Sequence, residues 1–578
     1  MLMARPNRVS VRFSARRNRA VEYVLPQAKP SSSKPPGQLF YGDNLEVLRE
    51  SIKDETIDLI YLDPPFNSKR DYNLLFKTPK GHRSEAQITA FYDSWHWGDQ
   101  AEREFDDLLH QANTDVAGMM KALRTFLGEN DMMAYLTMMA NRLLELHRVL
   151  KPTGSLYLHC DPTASHYLKM VLDGVCGKEH YQNEIIWKRT TTHSDSKTWS
   201  RVADTIFFYT KSDLFTWNTP RDLHSDEYLA SKYRYDDNDG RGVYRLDNMT
   251  SPNPRPNMMY VWKGFPFPEK GWRYEPETMG RLDDEGRIWY PTKEDGEHDL
   301  TKRPQLKRYL KEGEGGGVMG TVWTDISPIN SQAQERLGYP TQKPLALLER
   351  IITASSNEGD LILDPFCGCG TAVHGAQKLE RQWIGIDITH LAISLIEKRL
   401  KTAFGEACKF DVFGTPEDLE AARDLAFRNK YQFQWWAVSL VDSQPFQGKK
   451  KGADGGIDGI KFFRDLDRKE VRKIVVSVKG GGLKADDVRA LNHVREREGA
   501  EIALFISLEN PTQGMVKDAA SAGFYTSANK QKFARVQLLT IEGLLSKKQR
   551  AEHPDYEPDL NFKKAAVESK GKQGMLEL

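Results

Sequence analysis

An aspartate, two prolines and an aromatic residue close the first strongly apolar segment of the chain, as Asp63-Pro64-Pro65-Phe66. The carboxylate of Asp63 and the backbone carbonyl of Pro64 can accept both hydrogens of an amino group, which turns the nitrogen lone pair towards an electrophilic carbon. The prolines fix the backbone, and Phe66 offers an aromatic face to a planar ring. Taken alone, the four residues are better explained as a strand end followed by a rigid loop without chemistry.

A glycine-rich segment further along the chain is the second candidate site. Residues 364–371 read Asp-Pro-Phe-Cys-Gly-Cys-Gly-Thr, and Gly368 and Gly370 would let the backbone approach a ligand closely. The next apolar run ends at Asp387, where a carboxylate can accept hydrogen bonds from the two hydroxyls of a ribose. By itself this pattern also fits a dinucleotide site or a simple tight turn.

The elements that would position these residues follow from short apolar runs. They predict strands at Ile57–Leu62, 155–159, 361–363 and 383–386 and a helix at Leu345–Ser355. Strand ends that lead into polar loops are where α/β sheets bind ligands. We therefore predict that both segments belong to one α/β sheet. Residues 214–331 lack helix or strand periodicity and are interpreted as an insertion, not a second sheet.

Together the motifs resemble the β group of amino DNA methyltransferases, whose catalytic motif precedes a target-recognition region and whose cofactor motif follows it. The resemblance spans about residues 38–402 and includes the segment Tyr-Pro-Thr-Gln-Lys-Pro-Leu at 339–345. It implies a Rossmann-like class I methyltransferase sheet, S-adenosylmethionine as methyl donor, and double-stranded DNA as a substrate from which the target base is flipped. A homodimer, common in this group, is a further hypothesis.

The resemblance also implies roles for individual residues. The catalytic residues would be Asp63, Pro64, Pro65 and Phe66. Asp387 would hold the ribose of the cofactor, Lys343 and Pro344 would close its methionine side, and Asp43 would lie near its adenine. The remaining cofactor-binding residues would be Asp364, Phe366, Gly368 and Gly370.

Adenine N6 is the favoured target, since cytosine-N4 members of the group tend to carry Ser where this chain has Asp63. Cytosine N4 stays the alternative. Phe66 stands where Tyr is commoner in the group, which keeps the ring and loses a hydroxyl. Cytosine-C5 chemistry needs a Cys nucleophile, usually after Pro, and no cysteine here follows a proline. Cys367 and Cys369 are therefore interpreted as packing residues.

The insertion occupies the place of the recognition region in that group. It carries basic and aromatic residues suited to phosphate contacts and base stacking: Arg255, Trp262, Lys263, Trp272, Arg273, Trp289, Lys302, Arg303, Lys307 and Arg308. For any single residue, a place in the core or on the surface of a small subdomain is the better interpretation. The DNA sequence that is recognised cannot be derived from this pattern.

A third motif lies near the C-terminus, where Gly-Ala-Asp-Gly-Gly-Ile-Asp-Gly at 452–459 precedes Ile-Val-Val-Ser-Val-Lys at 474–479. It resembles the Mrr-like branch of the PD-(D/E)xK nucleases. The resemblance gives Asp458 the role of a Mg²⁺ ligand and Lys479 that of a water-activating group. Ser477 stands where Glu or Gln is expected. Two hypotheses stay open: a bifunctional restriction–modification enzyme, and a DNA-binding or structural domain that no longer cuts.

The resulting domain prediction has six parts. They are a basic disordered arm (1–37), the catalytic part of the methyltransferase (38–213), the recognition region (214–331), the cofactor-binding part (332–410), a restriction-endonuclease-like domain (415–545) and a loose tail (546–578). Thr415, Pro416 and Asp418 predict the N-cap, first turn and N3 of the helix that opens the endonuclease-like domain.

Bulk composition narrows the class of protein. The net charge is +1, so any DNA-binding surface must come from local clustering of basic residues. No apolar run approaches the roughly 18 residues of a membrane span. Five cysteines without paired spacing predict neither a disulfide framework nor a zinc site, in keeping with the cytoplasm of a bacterium or a phage-infected cell. A non-enzymatic DNA-binding regulator and an RNA-modifying enzyme are the rival functions.

Overall fold

The computed structural model describes residues 37–66, 71–77, 83–92, 95–192, 198–223, 226–310, 316–330, 333–339, 341–446, 456–465, 470–554 and 568. Of the predicted N-terminal arm, all but Gly37 lies outside these residues. Gly37 itself begins the first strand instead of ending the arm.

The first part of the chain alternates strands and helices, as its apolar runs predict. Its elements are β1 (Gly37–Tyr41), α1 (Asn44–Ser51), β2 (Ile57–Leu62), β3 (Asp71–Lys77), β4 (Arg83–Tyr92), α2 (Asp99–Leu109), α3 (Thr114–Leu127), α4 (Asp131–Val149), β5 (Leu150–Cys160), α5 (Ser165–Cys176), β6 (Tyr181–Lys188) and β7 (Ala203–Thr210).

The insertion contains more regular structure than its sequence indicates. Its elements are β8 (Arg221–Leu223), α6 (Asp226–Lys232), β9 (Tyr244–Asn248), α7 (Pro276–Asp284), β10 (Ile288–Trp289), β11 (Gln305–Tyr309), β12 (Gly316–Val318) and β13 (Val322–Trp323). The prediction that it holds no sheet of its own is wrong, since β10, β11 and β9 form an antiparallel sheet. Trp272, which is fully buried, packs with Met249 and Phe265 in its small core.

The chain then returns to the first sheet through α8 (Leu345–Ser355), β14 (Leu361–Asp364), α9 (Thr371–Lys378), β15 (Gln382–Asp387), α10 (His390–Phe404) and β16 (Phe410–Phe413). The described strands of this sheet number nine, in the order β13-β6-β7-β5-β2-β14-β15-β1-β16. The run from β5 to β16 is parallel throughout, and β7 is antiparallel to β5. The prediction that both segments build one sheet is confirmed.

Residue alternation on β2 shows how the sheet is buried on both faces. Ile60 and Leu62 pack into the layer formed by α1 to α5, while Leu59 and Tyr61 pack into the layer formed by α8, α9 and α10. Because successive side chains of a strand point to opposite faces, a strand covered on both sides reads as a continuous apolar run. This is the physical reason why β2 is visible in the sequence. The fold is a mixed α/β sheet of the predicted class.

The C-terminal domain is a second α/β unit with a sheet in the order β17-β18-β19-β20-β23. Its elements are α11 (Leu419–Arg428), α12 (Lys430–Ser439), β17 (Gln444–Pro445), β18 (Gly459–Arg464), β19 (Val471–Lys479), α13 (Ala485–Arg497), β20 (Ile502–Ser507), α14 (Gln513–Ser521), β21 (Phe524–Thr526), β22 (Lys532–Ala534), β23 (Val536–Thr540) and α15 (Ile541–Leu545). Helices α11, α12 and α15 cover one face of this sheet, and α13 and α14 cover the other.

Two boundaries of this domain differ from the sequence prediction. Its first helix is capped by Asp418, whose carboxylate accepts a hydrogen bond from the Ala421 N–H at 2.8 Å, and not by Thr415. The predicted loose tail begins later, because Gln549 accepts a hydrogen bond from the Thr540 N–H at 2.7 Å and thereby holds residues 546–554 on the domain. Of the rest of that tail, only residue 568 is described. No described helix is long and apolar enough to cross a bilayer.

Candidate active site

A cavity of about 1040 Å³ lies at the edge of the large sheet where β1, β2, β14 and β15 end. Parallel strands bring their carboxyl ends to the same edge, so the loops that follow them converge there. All four predicted catalytic residues line this cavity, and so do six of the eight predicted cofactor-binding residues. The exceptions are Pro344, which is the N-cap residue of α8, and Gly370, which is the N-cap residue of α9.

Asp63 follows β2 directly and enters the cavity with its two carboxylate oxygens in different environments. Oδ2 accepts a hydrogen bond from the ammonium group of Lys343. Oδ1 is buried and has no hydrogen-bond partner within the described part of the chain. A buried acceptor without a partner costs about 1–3 kcal/mol. Oδ1 is therefore an unsatisfied acceptor on a side chain that lines the cavity.

Phe66 lies at the other end of the same loop and is only 8% exposed. Its ring stacks on the imidazole of His159, with the centroids 6.0 Å apart and the planes at 27°. His159 is buried on β5, where Nδ1 is 3.0 Å from the Tyr61 hydroxyl and Nε2 is 3.1 Å from Oδ2 of Asp204. This buried network, absent from the sequence interpretation, supports one face of the Phe66 ring.

The glycine-rich turn connects β14 to α9 and closes the opposite side of the cavity. Gly368 and Gly370 have φ values of +53° and +73°, which an L-residue with a side chain rarely adopts. The N–H of Gly368 donates to Oδ2 of Asp387 at 2.8 Å. The other oxygen of Asp387 accepts from the N–H and the hydroxyl of Thr389, both at 2.9 Å. Asp387 thus joins the turn to the end of β15.

The buried acids give the cavity a preference for positive charge. Burial raises the pKa of Asp364 to about 8, with Asp63 and Asp387 adding to the effect and the hydrogen bond from the Phe366 N–H opposing it. Burial raises the pKa of Asp387 to about 6 against the donors Thr389 and Gly368. Five acidic side chains and two basic ones are found in the cavity lining. A cationic ligand would favour the ionised form of Asp364.

Asp43 lines the cavity as well, but its carboxylate is engaged by the protein. One oxygen caps α1 by accepting from the Leu45 N–H at 2.8 Å, and the other binds a guanidinium nitrogen of Arg142 at 2.7 Å. Arg142 also donates to Asn44, whose amide donates to the Pro365 carbonyl at 2.8 Å. Asp43 therefore positions the turn after β1 against the glycine-rich turn. Neither Arg142 nor Asn44 carries a sequence signal for this role.

A family model described as DNA methylase, of the N6/N4 methyltransferase type, matches residues 57–398. The chain belongs to this family. The matched segment contains Asp63, Lys343, Asp364 and Asp387, so most of the cavity lining lies within the part of the chain that carries the similarity. In this DNA methylase, the segment Asp63-Pro64-Pro65-Phe66 precedes the insertion and the glycine-rich turn follows it.

Two sequence relatives agree with this assignment. The type II methyltransferase M.EcaI of Enterobacter cloacae is 30% identical over 392 residues, which cover 67% of this chain and 74% of that protein. The Mod subunit of the type III restriction-modification enzyme StyLTI from Salmonella typhimurium is 24% identical over 355 residues, which are 59% of this chain and 50% of that subunit. A DNA modification methylase from Thermus thermophilus, TTHA0409, was solved in complex with S-adenosyl-L-methionine. It shares 15% identity with a TM-score of 0.30, and the match covers 65% of this chain and 99% of that one.

The predicted nuclease residues of the DNA methylase come together on two neighbouring strands. Asp458 immediately precedes β18, and its Oδ2 accepts from the Val478 N–H at 2.7 Å and from the Ser477 hydroxyl at 3.3 Å. Lys479, at the end of β19, forms an ion pair with Asp487 at 3.2 Å. A second family model, described as restriction endonuclease (Mrr_cat), matches residues 428–546. This segment is an Mrr restriction endonuclease domain.

That domain shows no complete metal site in the part that is described. Among the described residues, no three His, Cys, Asp or Glu side chains are grouped so that they could hold a metal ion. Residues 447–455, which include the first Asp of the motif, lie outside that description. The Asp458 carboxylate is bonded to the strand beside it, and a hydroxyl stands where the family pattern has a carboxylate or an amide.

The basic residues of the insertion are largely paired with acids of the same region. Lys263 pairs with Asp283, Lys307 with Asp237 at 2.5 Å, and Lys302 with Asp299 at 3.1 Å. Arg273 and Arg308 both contact Asp247. For these residues, and for the buried Trp272, the interpretation as core or surface residues of a small subdomain fits. Recognition of DNA by the insertion remains a prediction.

Cys367 and Cys369 are buried beside the cavity, and burial raises the pKa of both thiols. A thiol that is buried and uncharged is a poor nucleophile. Their environment agrees with the packing role proposed from the sequence.

Proposed function

We propose that this DNA methylase transfers a methyl group from S-adenosylmethionine to N6 of adenine in double-stranded DNA, at sites selected by the insertion. One observation carries the proposal: Asp63 lines the cavity with an Oδ1 that has no hydrogen-bond partner among the described residues, while Lys343 binds Oδ2. The Pro64 carbonyl follows in the same loop, so two acceptors are available for the two hydrogens of one amino group.

The cavity suits S-adenosylmethionine by its size, its backbone and its charge. A volume of about 1040 Å³ is ample for a nucleoside bearing an amino-acid side chain. The turn is tightly packed, since a Cβ at Gly368 would lie 3.2 Å from Cε1 of Tyr339. Asp387 would hold the ribose and Asp364 would stabilise positive charge. When bound, the cofactor supplies an electrophilic methyl group on a sulfonium centre.

The residues of the protein would act on the amino group of the base. Asp63 Oδ1 and the Pro64 carbonyl accept its hydrogens and draw the nitrogen lone pair out of conjugation with the ring. Lys343 keeps the carboxylate in one orientation. As the N–C bond forms and the S–C bond breaks, the nitrogen carries a surplus proton, and Asp63 is placed to accept it. Phe66, supported by His159, gives the loop a rigid apolar wall.

Adenine is proposed over cytosine because the acceptor is a carboxylate. Cytosine-N4 members of the group resembled tend to carry Ser at this position. The proposed choice of adenine over cytosine rests on this one residue, so the methylated base must be identified directly.

The test is methyl transfer from labelled S-adenosylmethionine to DNA from a methylation-free host, with the product bases identified by mass spectrometry. Wild type should yield N6-methyladenine, and Asp63→Ala should lose at least about a hundredfold in rate. Asp54→Asn, a control at an exposed carboxylate that pairs with Arg148 away from the cavity, should match wild type. N4-methylcytosine as product would refute the choice of base, and an Asp63→Ala rate equal to wild type would refute the mechanism.

The double-stranded DNA substrate and a homodimeric assembly are part of the same proposal. Sedimentation of the full chain alone tests the homodimer, and sedimentation with a DNA duplex tests binding to the duplex. A single-stranded or RNA substrate that is methylated faster than the duplex would contradict the first.

A further inference from the structure

Helix α12 belongs to the Mrr domain but also forms part of the cavity of the methyltransferase. Tyr431, Gln432 and Trp435, together with Asn429 just before the helix, line the cavity. On the other face of the same helix, Phe433 and Trp436 are buried in the core of the Mrr domain with Val476 and Val478 of β19. One face of this helix therefore contributes to the cavity, and the other contributes to the core of the Mrr domain.

The cavity face of α12 is bonded to the end of the site where β15 leads into α10. The side-chain oxygen of Gln432 accepts a hydrogen bond from the His390 N–H at 3.2 Å. The Asn429 side chain caps α12 by accepting from the Gln432 N–H at 3.1 Å, which fixes the start of the helix. These contacts position α12 beside Asp387, Ile388 and Thr389, which we call the nucleoside end of the cavity.

Aromatic residues continue the wall at this end. Trp435 packs against a buried cluster that includes Tyr339 and Leu391, and Tyr339 in turn lies against Gly368 of the glycine-rich turn. Tyr431 is 54% exposed and lines the cavity, as does Ile388, which is 56% exposed. An exposed aromatic side chain and an exposed aliphatic side chain that line the cavity are well suited to cover a planar ring.

The opposite face of α12 reaches the strand that carries the nuclease motif. The ring of Phe433 is so close to Gly480 that a Cβ there would lie 3.0 Å from Cε1 of Phe433. Gly480 follows Lys479 directly. A shift of α12 towards the cavity would therefore move the side chain that packs against the end of β19.

We propose that α12 forms the fourth wall of the nucleoside end, with Tyr431 covering the adenine ring of the cofactor, and that cofactor occupancy is thereby sensed by the Mrr domain. The inference rests on the proposed function, since the ligand is S-adenosylmethionine or its product. If the cofactor contacts α12, binding must stabilise the docked position of this helix, and the docked helix must favour binding to the same extent.

The first test measures the affinity of the full chain for S-adenosylhomocysteine by calorimetry. Tyr431→Ala should raise Kd roughly tenfold, as expected when an aromatic ring that stacks on a base is removed. Tyr431→Phe keeps the ring and should stay within about twofold of wild type. Phe427→Ala is the matched control, because Phe427 is 92% exposed on α11 and does not line the cavity.

The second test follows amide hydrogen exchange in wild type. Saturating S-adenosylhomocysteine should slow exchange in α12 and at the end of β19, and the slowing in β19 should be lost in Tyr431→Ala at equal occupancy.

The outcomes separate this inference from the proposed function. If wild type binds the ligand and Tyr431→Ala binds it equally well, the role of α12 is refuted while the methyltransferase site stands. If exchange slows only in residues 37–413, the coupling is refuted. If wild type fails to bind the ligand at all, the proposed function itself falls.

Discussion

Lys343 and Asp63, 280 residues apart in sequence, are joined by an ammonium–carboxylate contact that uses Oδ2 and leaves Oδ1 without a described partner. The side chain of Lys343 is 9% exposed and that of Asp63 is 16% exposed, so solvent screens this pair poorly. Sequence resemblance placed Lys343 on the methionine side of the cofactor. Its observed contact is with the proposed catalytic carboxylate.

The two roles of Lys343 predict different kinetics. If the residue acts through Asp63, Lys343→Met should lower kcat by about tenfold to a hundredfold, the effect of losing a hydrogen bond to a charged group. The KM for the methyl donor should change little. Steady-state kinetics decides between the two roles. Lys401→Met, on the exposed side of α10, is the control. A raised donor KM with kcat unchanged would support the role implied by resemblance.

Asp364 predicts an unusual dependence of stability on pH. Its pKa is about 8 in the folded chain and near 3.8 when unfolded, so between these values the folded chain binds the additional proton. The contribution of Asp364 to the free energy of unfolding therefore falls as pH rises from about 4 to 8. Asp364→Asn cannot ionise and keeps the acceptor for the Phe366 N–H.

Without cofactor, Asp364→Asn should thus melt at least about 2 °C above wild type at pH 8.5, and the difference should shrink towards pH 5.5. At the same time, the variant should bind S-adenosylmethionine more weakly, because it lacks the charge that a cation stabilises. Melting curves at both pH values test this, with Asp54→Asn as the exposed control. Equal melting temperatures at pH 8.5 would show that the carboxyl of Asp364 is not shifted.

Gly370 predicts a steric requirement at the start of α9. Its φ is +73°, and a Cβ there would lie 2.8 Å from Cγ1 of Ile396. Gly370→Ala should cost about 1–3 kcal/mol of unfolding free energy and should shift the turn that carries Gly368. Gly405→Ala is a matched control, since Gly405 has φ +58° with nothing within 4 Å of the added Cβ. Denaturant unfolding of both variants measures the difference, and equal losses would mean that the contact with Ile396 relaxes freely.

Because Ser477 stands at a ligand position of the nuclease motif, we expect the Mrr domain to cut DNA poorly or not at all. Its hydroxyl lies 3.3 Å from Oδ2 of Asp458, at the position where the nuclease family carries a carboxylate or an amide oxygen. Wild type should leave unmethylated plasmid intact in the presence of Mg²⁺, while Ser477→Glu should gain cleavage that requires Lys479. Cleavage by wild type that Lys479→Ala abolishes would contradict this and favour a bifunctional enzyme.

Much of the large sheet could be predicted because its strands are buried on both faces. Such strands read as unbroken apolar runs, and β2 and α8 have the bounds that the sequence indicates. Asp63 and Gly368 lie in the polar loops that follow β2 and β14, and Asp387 ends β15, so their meeting at one edge follows from parallel topology alone.

The features that could not be predicted depend on tertiary contacts without a local pattern. The insertion builds its sheet from short strands such as β9, whose residues are mostly half-buried and include Arg245 and Asp247. The pairing of Asp43 with Arg142 joins residues from two separate helical regions. The contribution of α12 to the cavity comes from another domain, and no periodicity within either domain indicates it.

The order of elements along the chain has a consequence for biosynthesis. A ribosome completes Asp63, the glycine-rich turn and Asp387 before it reaches Asp458 and Lys479, and it adds Tyr431 and Trp435 between them. A prematurely terminated product can therefore contain the loop Asp63–Phe66 without the Mrr strands, whereas no N-terminal fragment contains the Mrr strands without that loop.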